Sequence, residues 1–234
     1  MSVNVNDMVL VQGMKDTRLA LARWQREPLR ALAPWMVLSF AIAVGLLTAV
    51  YVVAKHSPAD PTLLRIPGYY DAPTLGEYGY ILVRNGLVLA LHSLACVAGF
   101  IAGSSMPLSA SHRSGMSRWV HEKAGPLAIA FVAGATLFSL STQAYVLGGK
   151  ASTIAAQVDL SAGGLVLTLL PHALPELFAL FLPLAAWIIA SRRNQWHDLL
   201  AATFVTTAIA VPLLLASAAV ELYVSPALLE AVVA

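Results

Sequence analysis

Five stretches of this sequence, each 21 to 29 residues long, contain almost no charged side chains. They are residues 34–54, 80–102, 125–146, 162–190 and 199–220. The hydrocarbon core of a bilayer is about 30 Å thick, and roughly 20 apolar residues of α-helix cross it. Backbone groups in lipid must bond within the protein, and each stretch is too long for a barrel strand, so helices are expected. The predicted fold class is an all-α, polytopic transmembrane helical bundle with five spans.

Composition narrows the class of protein further. Hydrophobic residues make up 59% of the 234-residue chain and charged residues 11%, whereas soluble domains have about 45–50% and about 25%. A soluble globular domain is therefore excluded, and the scarcity of charge also excludes a disordered chain. The net charge of +2, without a basic block, argues against a nucleic-acid partner. The one cysteine, Cys96, has no disulfide partner within the chain.

The distribution of lysine and arginine predicts the orientation of the spans. If the N-terminus is cytoplasmic, ten of these residues lie in cytoplasmic segments, and only Lys55, Arg65 and Lys150 lie outside. Cytoplasmic loops of membrane proteins carry an excess of positive charge. We therefore expect a cytoplasmic N-terminus.

Residues 1–33 precede the transmembrane domain, residues 34–234, and predict an amphipathic helix on the cytoplasmic face. Asn6 or Asp7 can cap a helix that continues to about Glu27. Its apolar side would contain Leu10, Met14, Leu21 and Trp24. Because arginines on its polar side suit an anionic leaflet, we expect this helix to lie in the membrane interface. The alternative is an ordinary cytoplasmic helix that packs on the loops.

Residues 55–79 form the largest predicted external loop. Four prolines and two glycines make a long regular helix unfavourable there: Pro58, Pro61, Pro67, Pro73, Gly68 and Gly76. This loop either binds an extracytoplasmic partner or caps the ends of the helices, and the sequence leaves both open.

Arg84 and Glu176 are the only charged residues inside the predicted spans. A charge at the bilayer centre costs about 2.5–3.5 kcal/mol on insertion scales, so each of them needs a partner. Counted from the cytoplasmic helix ends, Arg84 lies about 28 Å and Glu176 about 21 Å into the membrane, with His172 at about 27 Å and His92 at about 16 Å. We predict an intramembrane polar cluster of these residues, in which Arg84 pairs with Glu176 or covers His172.

The fourth span is unusually long and contains Pro171, Pro175 and Pro183. Pro175 cannot donate a hydrogen bond to the carbonyl of Pro171, so a kink or break is expected there. We predict that residues 170–189 cross the membrane and that 165–170 form a short half-helix or re-entrant stretch, which would be a sixth membrane segment.

The predicted cluster is compatible with a chemical or a structural role. Proton handling, metal ligation and substrate contact are chemical roles that intramembrane ionisable groups often have. Two histidines and one carboxylate on two helices fall short of the three or four ligands of a typical metal site. The sequence contains no metalloprotease, serine hydrolase or phosphate-loop motif. We therefore expect no catalytic residue, no metal and no cofactor, and we favour a structural or gating role.

Small and polar residues mark two surfaces for helix packing. Gly99 and Gly103 form a small-xxx-small motif at the end of the second span. In the third span Ser139 and Gln143 lie four residues apart and can bond to a neighbouring helix.

The run Leu-Leu-Pro-His-Ala-Leu-Pro-Glu, residues 169–176, resembles the Pro-His-Gly-x-x-Glu motif of the stage II sporulation protein M family of prokaryotic integral membrane proteins. Asn85, in Arg-Asn-Gly at the start of the second span, resembles part of that family's Asn-Asn pair. Ala173 replaces the usual Gly, and Arg84 replaces the first Asn. The resemblance assigns Asn85, Pro171, His172 and Glu176 to the family's motifs.

This resemblance implies a scaffold or accessory subunit of the prokaryotic cell (inner) membrane, because the founding member gathers cell-wall hydrolases. It implies a protein partner or a homo-oligomer, in addition to membrane lipids. The layout of an amphipathic helix followed by five or six spans is also similar to permease subunits of ABC-type exporters. A permease subunit is therefore the alternative function.

Overall fold

A computed structural model describes residues 9–110 and 113–234, which form helices joined by turns, bends and irregular segments, without a strand. The first half contains helices α1 (Val9–Trp24), α2 (Pro28–His56), α3 (Leu75–Phe100), which continues as a π-helical turn (Ile101–Ser105), and α4 (Met106–Ala110). The second half contains α5 (Gly115–Gln157), α6 (Ala162–Arg192), a 3₁₀ turn (Trp196–Asp198), α7 (Leu199–Ala219), a second π-helical turn (Val220–Val224) and α8 (Ser225–Val233). The capping residues predicted for α1, Asn6 and Asp7, lie outside the described ranges.

Five helical stretches in the described chain are long and apolar enough to cross a membrane, which confirms the predicted polytopic helical bundle. They are α2, α3 with its π turn, α5, α6, and the stretch Trp196–Val233. The first of these begins at Pro28 instead of residue 34, with Pro34 inside the helix. The protein is therefore a multi-pass membrane protein.

The fourth span is one uninterrupted helix, so a break at Pro171 and Pro175 and a separate half-helix 165–170 are wrong, whereas a kink there stays a prediction. Each proline removes only one hydrogen bond from the helix, at the carbonyl four residues earlier. A break in lipid would expose several backbone groups, which is more costly than the single bonds lost. The rest of the protein also surrounds α6 more than the other spans. Of its most apolar 18-residue segment, 56% is buried.

Close contacts divide the chain into two compact units, and the long helices contribute to both. The first unit consists of Met1–Ser39, of which residues 9–39 are described, with Leu89–Ala135 and Phe181–Ile209. Its core contains Cys96, Phe100, Trp187, Ala190, Trp196 and Leu199. The second unit consists of Phe40–Val88, Thr136–Leu180 and Ala210–Ala234, and part of its core contains Ile81, Ala218 and Leu222.

Helix α1 packs on the first unit through a face of small residues. Ala20 is fully buried, and a Cβ added to Gly13 would lie 2.6 Å from Leu200 Cδ1. Arg23 donates a 2.7 Å hydrogen bond to Asp198, whose side chain is only 9% exposed. Met14, predicted on the apolar side of this helix, is exposed. These contacts support the packing alternative, and placement in the membrane interface stays a prediction.

The external loop caps helix α5 in the second unit. Residues 57–74 contain turns and bends but no helix, as their prolines and glycines predict. The Gln157 side chain accepts a hydrogen bond from the Leu64 amide and donates one to the Leu64 carbonyl, each 2.9 Å long. Ser152 donates to the Ser57 carbonyl at 2.8 Å. These contacts favour the capping role over a free docking loop.

Gly68 brings the same loop against the last membrane-spanning stretch. Its φ is +72°, and an added Cβ would lie 2.4 Å from the Leu222 carbonyl oxygen. Pro226 has no N–H to donate to that carbonyl four residues earlier. Only glycine combines this backbone conformation with so close an approach.

We expect Gly68→Ala to lower the free energy of unfolding by about 2 kcal/mol or more, because it adds left-handed strain to a clash with backbone. The measurement is unfolding of the purified full-length protein in a single detergent. Gly79→Ala is the control, since nothing lies within 4 Å of the Cβ position at Gly79. Equal stability of the two variants would contradict the close approach.

Candidate functional site

Arg84 lies between two carboxylates in the second unit. Its Nη2 atom is 3.8 Å from Glu176 Oε1 and 3.9 Å from Glu221 Oε1. The two glutamate side chains are only 12% and 17% exposed, whereas the arginine is 52% exposed. The structure therefore brings together the predicted pair, Arg84 and Glu176, and adds a second anion. We call Arg84, Asn85, Glu176 and Glu221 the charge cluster.

Glu221 is not among the predicted site residues, because the predicted fifth span ends at residue 220. The helical path instead continues through the π turn Val220–Val224 into α8, with Pro226 in the first turn of α8. A proline is tolerated in the first turn of a helix because that N–H has no partner in the helix. The apolar run that continues to residue 233 was the available signal, because Glu221 and Glu230 are its only charged residues.

Asn85 completes the charge cluster and is 2% exposed. It accepts a 3.3 Å hydrogen bond from Arg84 Nε. Its amide group also lies beside the Glu176 carboxylate, without the geometry of a hydrogen bond. Asn85 Nδ2 and Glu221 Oε2 are both buried and have no hydrogen-bond partner in the described residues. The cluster therefore retains one donor and one acceptor in addition to its charge pairs.

His172 lies on α6 in the same unit and is 8% exposed. Its Nδ1 atom forms a 2.6 Å hydrogen bond with the Ser225 hydroxyl, and either atom can be the donor. A cavity of about 140 Å³ reaches this pair and is also lined by Arg65 of the external loop and by Glu221. The rest of its lining is mainly apolar, including Leu165, Leu169 and Leu229.

His92, the remaining residue of the predicted polar cluster, contacts an aromatic ring, and its place in the cluster stays a prediction. It lies in the first unit, with its ring centroid 5.7 Å from that of Phe181. Eight residues separate it from Arg84, which is about 12 Å along one helix.

The predicted packing glycines contact tryptophan side chains in the first unit. A Cβ at Gly99 would lie 2.6 Å from Trp187 Nε1, and one at Gly103 would lie 2.1 Å from Trp196 Cδ2. The Trp196 indole N–H donates a 2.8 Å hydrogen bond to Asn194 Oδ1. The motif accommodates these aromatic rings, and Gly103 also lies close to α5, since a Cβ added at Gly125 would lie 3.8 Å from Gly103 Cα.

The chemistry available to the cluster is that of charge pairing and hydrogen bonding. Among the described residues, no group of three His, Cys, Asp or Glu side chains is arranged to hold a metal ion. Both glutamate carboxylates pair with the one arginine, and His172 is hydrogen-bonded to Ser225. This arrangement can hold α3, α6 and the last span in register, because it joins one side chain from each.

Comparisons with models of protein families, with curated proteins and with solved structures found no significant match to this chain.

Proposed function

We propose that this protein is a scaffold or accessory subunit that assembles with partner proteins in a prokaryotic cell membrane and has no catalysis of its own. The observation that carries the proposal is the polar, exposed face of α5. The charge cluster serves this role by holding α3, α6 and the last span in register. The resemblance to the stage II sporulation protein M family supports the same function and stays a prediction.

Helix α5 is the least buried of the five membrane-spanning stretches, since only 11% of its most apolar 18-residue segment is buried. Large apolar side chains project from it, including Phe131 and Phe138, each 76% exposed, and Tyr145, 73% exposed. Lipid is a suitable neighbour for such side chains. Exposure alone therefore does not require a protein partner.

The polar residues of the same helix are the stronger evidence. Gln143 donates a 2.9 Å hydrogen bond to Ser139 on its own helix. Ser139 and Thr142 are both exposed on α5, three residues apart and therefore on one face. Hydroxyl and amide groups gain little from lipid, whereas Ser, Thr and Gln are enriched where membrane helices meet. The sequence predicts that Ser139 and Gln143 bond to a neighbouring helix. In the proposed assembly that helix belongs to a partner chain, which is either another protein or a second copy of this one.

Photo-crosslinking from this face tests the proposal in native membranes. We expect p-benzoyl-phenylalanine at position 139 or 142 to form a covalent adduct with one protein, which increases the mass above that of the 24.7 kDa chain. The same probe at Leu94, which is 61% exposed on α3, is the matched control and is expected to react mainly with lipid. Absence of a protein adduct from α5, or equal adducts from all three positions, would contradict the proposal.

A permease subunit is the second candidate, because a cavity connects the external loop with His172 and Glu221. Its volume of about 140 Å³ is small compared with the roughly 300–1,000 Å³ of typical ligand pockets. A permease would have to widen this cavity to pass a solute. Scaffold assembly needs no such change and is therefore the preferred function.

A further inference from the structure

A polar cavity in the first unit has no role in the proposed assembly. It measures about 410 Å³ and lies where the turn after α1, the start of α2 and the end of α6 meet. Four arginines line it: Arg23, Arg26, Arg30 and Arg193. Two carboxylates, Glu27 and Asp198, line it as well. The lining therefore carries a formal excess of two positive charges.

Two of the four arginines are neutralised within the protein. Arg23 pairs with Asp198 at 2.7 Å, and Arg30 pairs with Glu27 at 2.9 Å. Arg26 and Arg193 have no ion pair among the described residues, and both are exposed. Two guanidinium groups thus line one cavity without a counter-charge, which favours an anionic ligand.

The remaining walls of the cavity are apolar. Trp35 is 8% exposed and contacts Trp24 edge to face, with ring centroids 5.0 Å apart. Ala31, Ile189 and Ala202 extend the apolar lining. A small inorganic anion gains nothing from contact with apolar side chains, whereas the glycerol and acyl chains of a phospholipid can pack against them.

The position of the cavity also suits a lipid. Helices α2 and α6 are both apolar enough to cross a membrane, and the cavity lies at the first turns of one and the last turn of the other. Lipid headgroups lie at this level, because the ends of membrane-spanning helices reach the membrane surface. Basic pockets between such helices are known binding sites for anionic headgroups.

We propose that this cavity binds the phosphodiester headgroup of an anionic phospholipid. Arg26 and Arg193 hold the phosphate oxygens through charge-assisted hydrogen bonds. Trp24, Trp35 and Ile189 contact the glycerol and the first carbons of the acyl chains. The first and fourth spans would thereby share one lipid at the membrane surface.

Binding to the full-length protein in a nonionic detergent tests the proposal, with native mass spectrometry to count bound lipid. We expect phosphatidylglycerol to bind with saturation, and phosphatidylcholine and inorganic phosphate to bind at least roughly tenfold more weakly. Equal binding of phosphatidylcholine would overturn the role of the charge. Inorganic phosphate that binds as tightly as the lipid would show an adventitious anion site and would overturn the lipid assignment.

Matched arginine variants locate the binding. We expect Arg26→Gln with Arg193→Gln to weaken phosphatidylglycerol binding by roughly tenfold. Arg18→Gln with Arg192→Gln removes the same charge from exposed positions that do not line the cavity, and it should change binding less than about twofold. Equal losses in the two double variants would show a general electrostatic effect and would contradict the proposed site. Unfolding curves of each variant without lipid confirm that both remain folded.

Discussion

Glu176→Gln combined with Glu221→Gln is expected to lower the free energy of unfolding by about 2–3 kcal/mol, because Arg84 then has no counter-charge within the membrane. Either substitution alone should cost much less, since the arginine lies 3.8 Å from one glutamate and 3.9 Å from the other. Reversible unfolding in mixed micelles measures these differences. Adding Arg84→Leu to the double variant should recover most of the loss, because no unpaired charge then remains.

Glu230→Gln controls for the loss of a carboxylate elsewhere, because Glu230 lies exposed on α8. It should leave stability unchanged within about 0.5 kcal/mol. If adding Arg84→Leu to the double variant instead lowers the free energy of unfolding further, by as much as Arg84→Leu does alone, the three side chains are not coupled. The charge cluster would then have no role in holding the helices together.

Gly103→Ala is the second substitution with a large expected effect, about 3 kcal/mol of destabilisation. The new methyl group would lie 2.1 Å from Trp196 Cδ2 and 2.3 Å from Cγ. The indole cannot move away easily, because Trp196 is 6% exposed and its N–H is bonded to Asn194. Thermal unfolding in detergent measures the effect, and Gly86→Ala is the control, since nothing lies within 4 Å of a Cβ there.

A smaller side chain at position 196 distinguishes this clash from a general loss of helix flexibility. Trp196→Leu alone should also destabilise the protein, because it leaves a cavity. Combined with Gly103→Ala, it should cost at least about 1 kcal/mol less than the sum of the two single changes. Simple additivity would contradict a contact between the glycine and the ring.

The sequence was sufficient to predict the five spans, because the cost of charge in lipid leaves a strong signal. The predicted segments each fall within a helical stretch of the structure, and the greatest difference is at the C-terminal end. There the predicted span ends at residue 220, whereas the helical path continues through Glu221 to Val233. A charged residue therefore does not reliably mark the end of a span when it has a charged partner inside the protein, as Glu221 has in Arg84.

The break predicted in α6 failed for a different physical reason. Local rules count the bond that each proline removes, and three prolines in one span give a strong local signal. They do not count the protein around the helix, which buries more of α6 than of the other spans. Tertiary packing and the cost of exposed backbone in lipid together outweigh the local preference.

Side-chain partners were the least predictable part of the candidate site. Arg84 and Glu176 could be matched by depth because both are rare and costly in lipid. Depth alone also selected His92, which the structure places against Phe181. The identity of a partner depends on the rotation of each helix about its axis, which weak hydrophobic periodicity in an apolar span does not determine.

The mass of the assembly released from native membrane vesicles tests the central claim most directly. We predict a mass above 24.7 kDa, equal to this chain plus a fixed number of partner or identical chains. Ser139→Phe with Thr142→Phe on α5 should shift it to the single chain, and Leu94→Phe on α3 should not. A wild-type protein that is released as a 24.7 kDa monomer and transports a solute in liposomes would contradict the account.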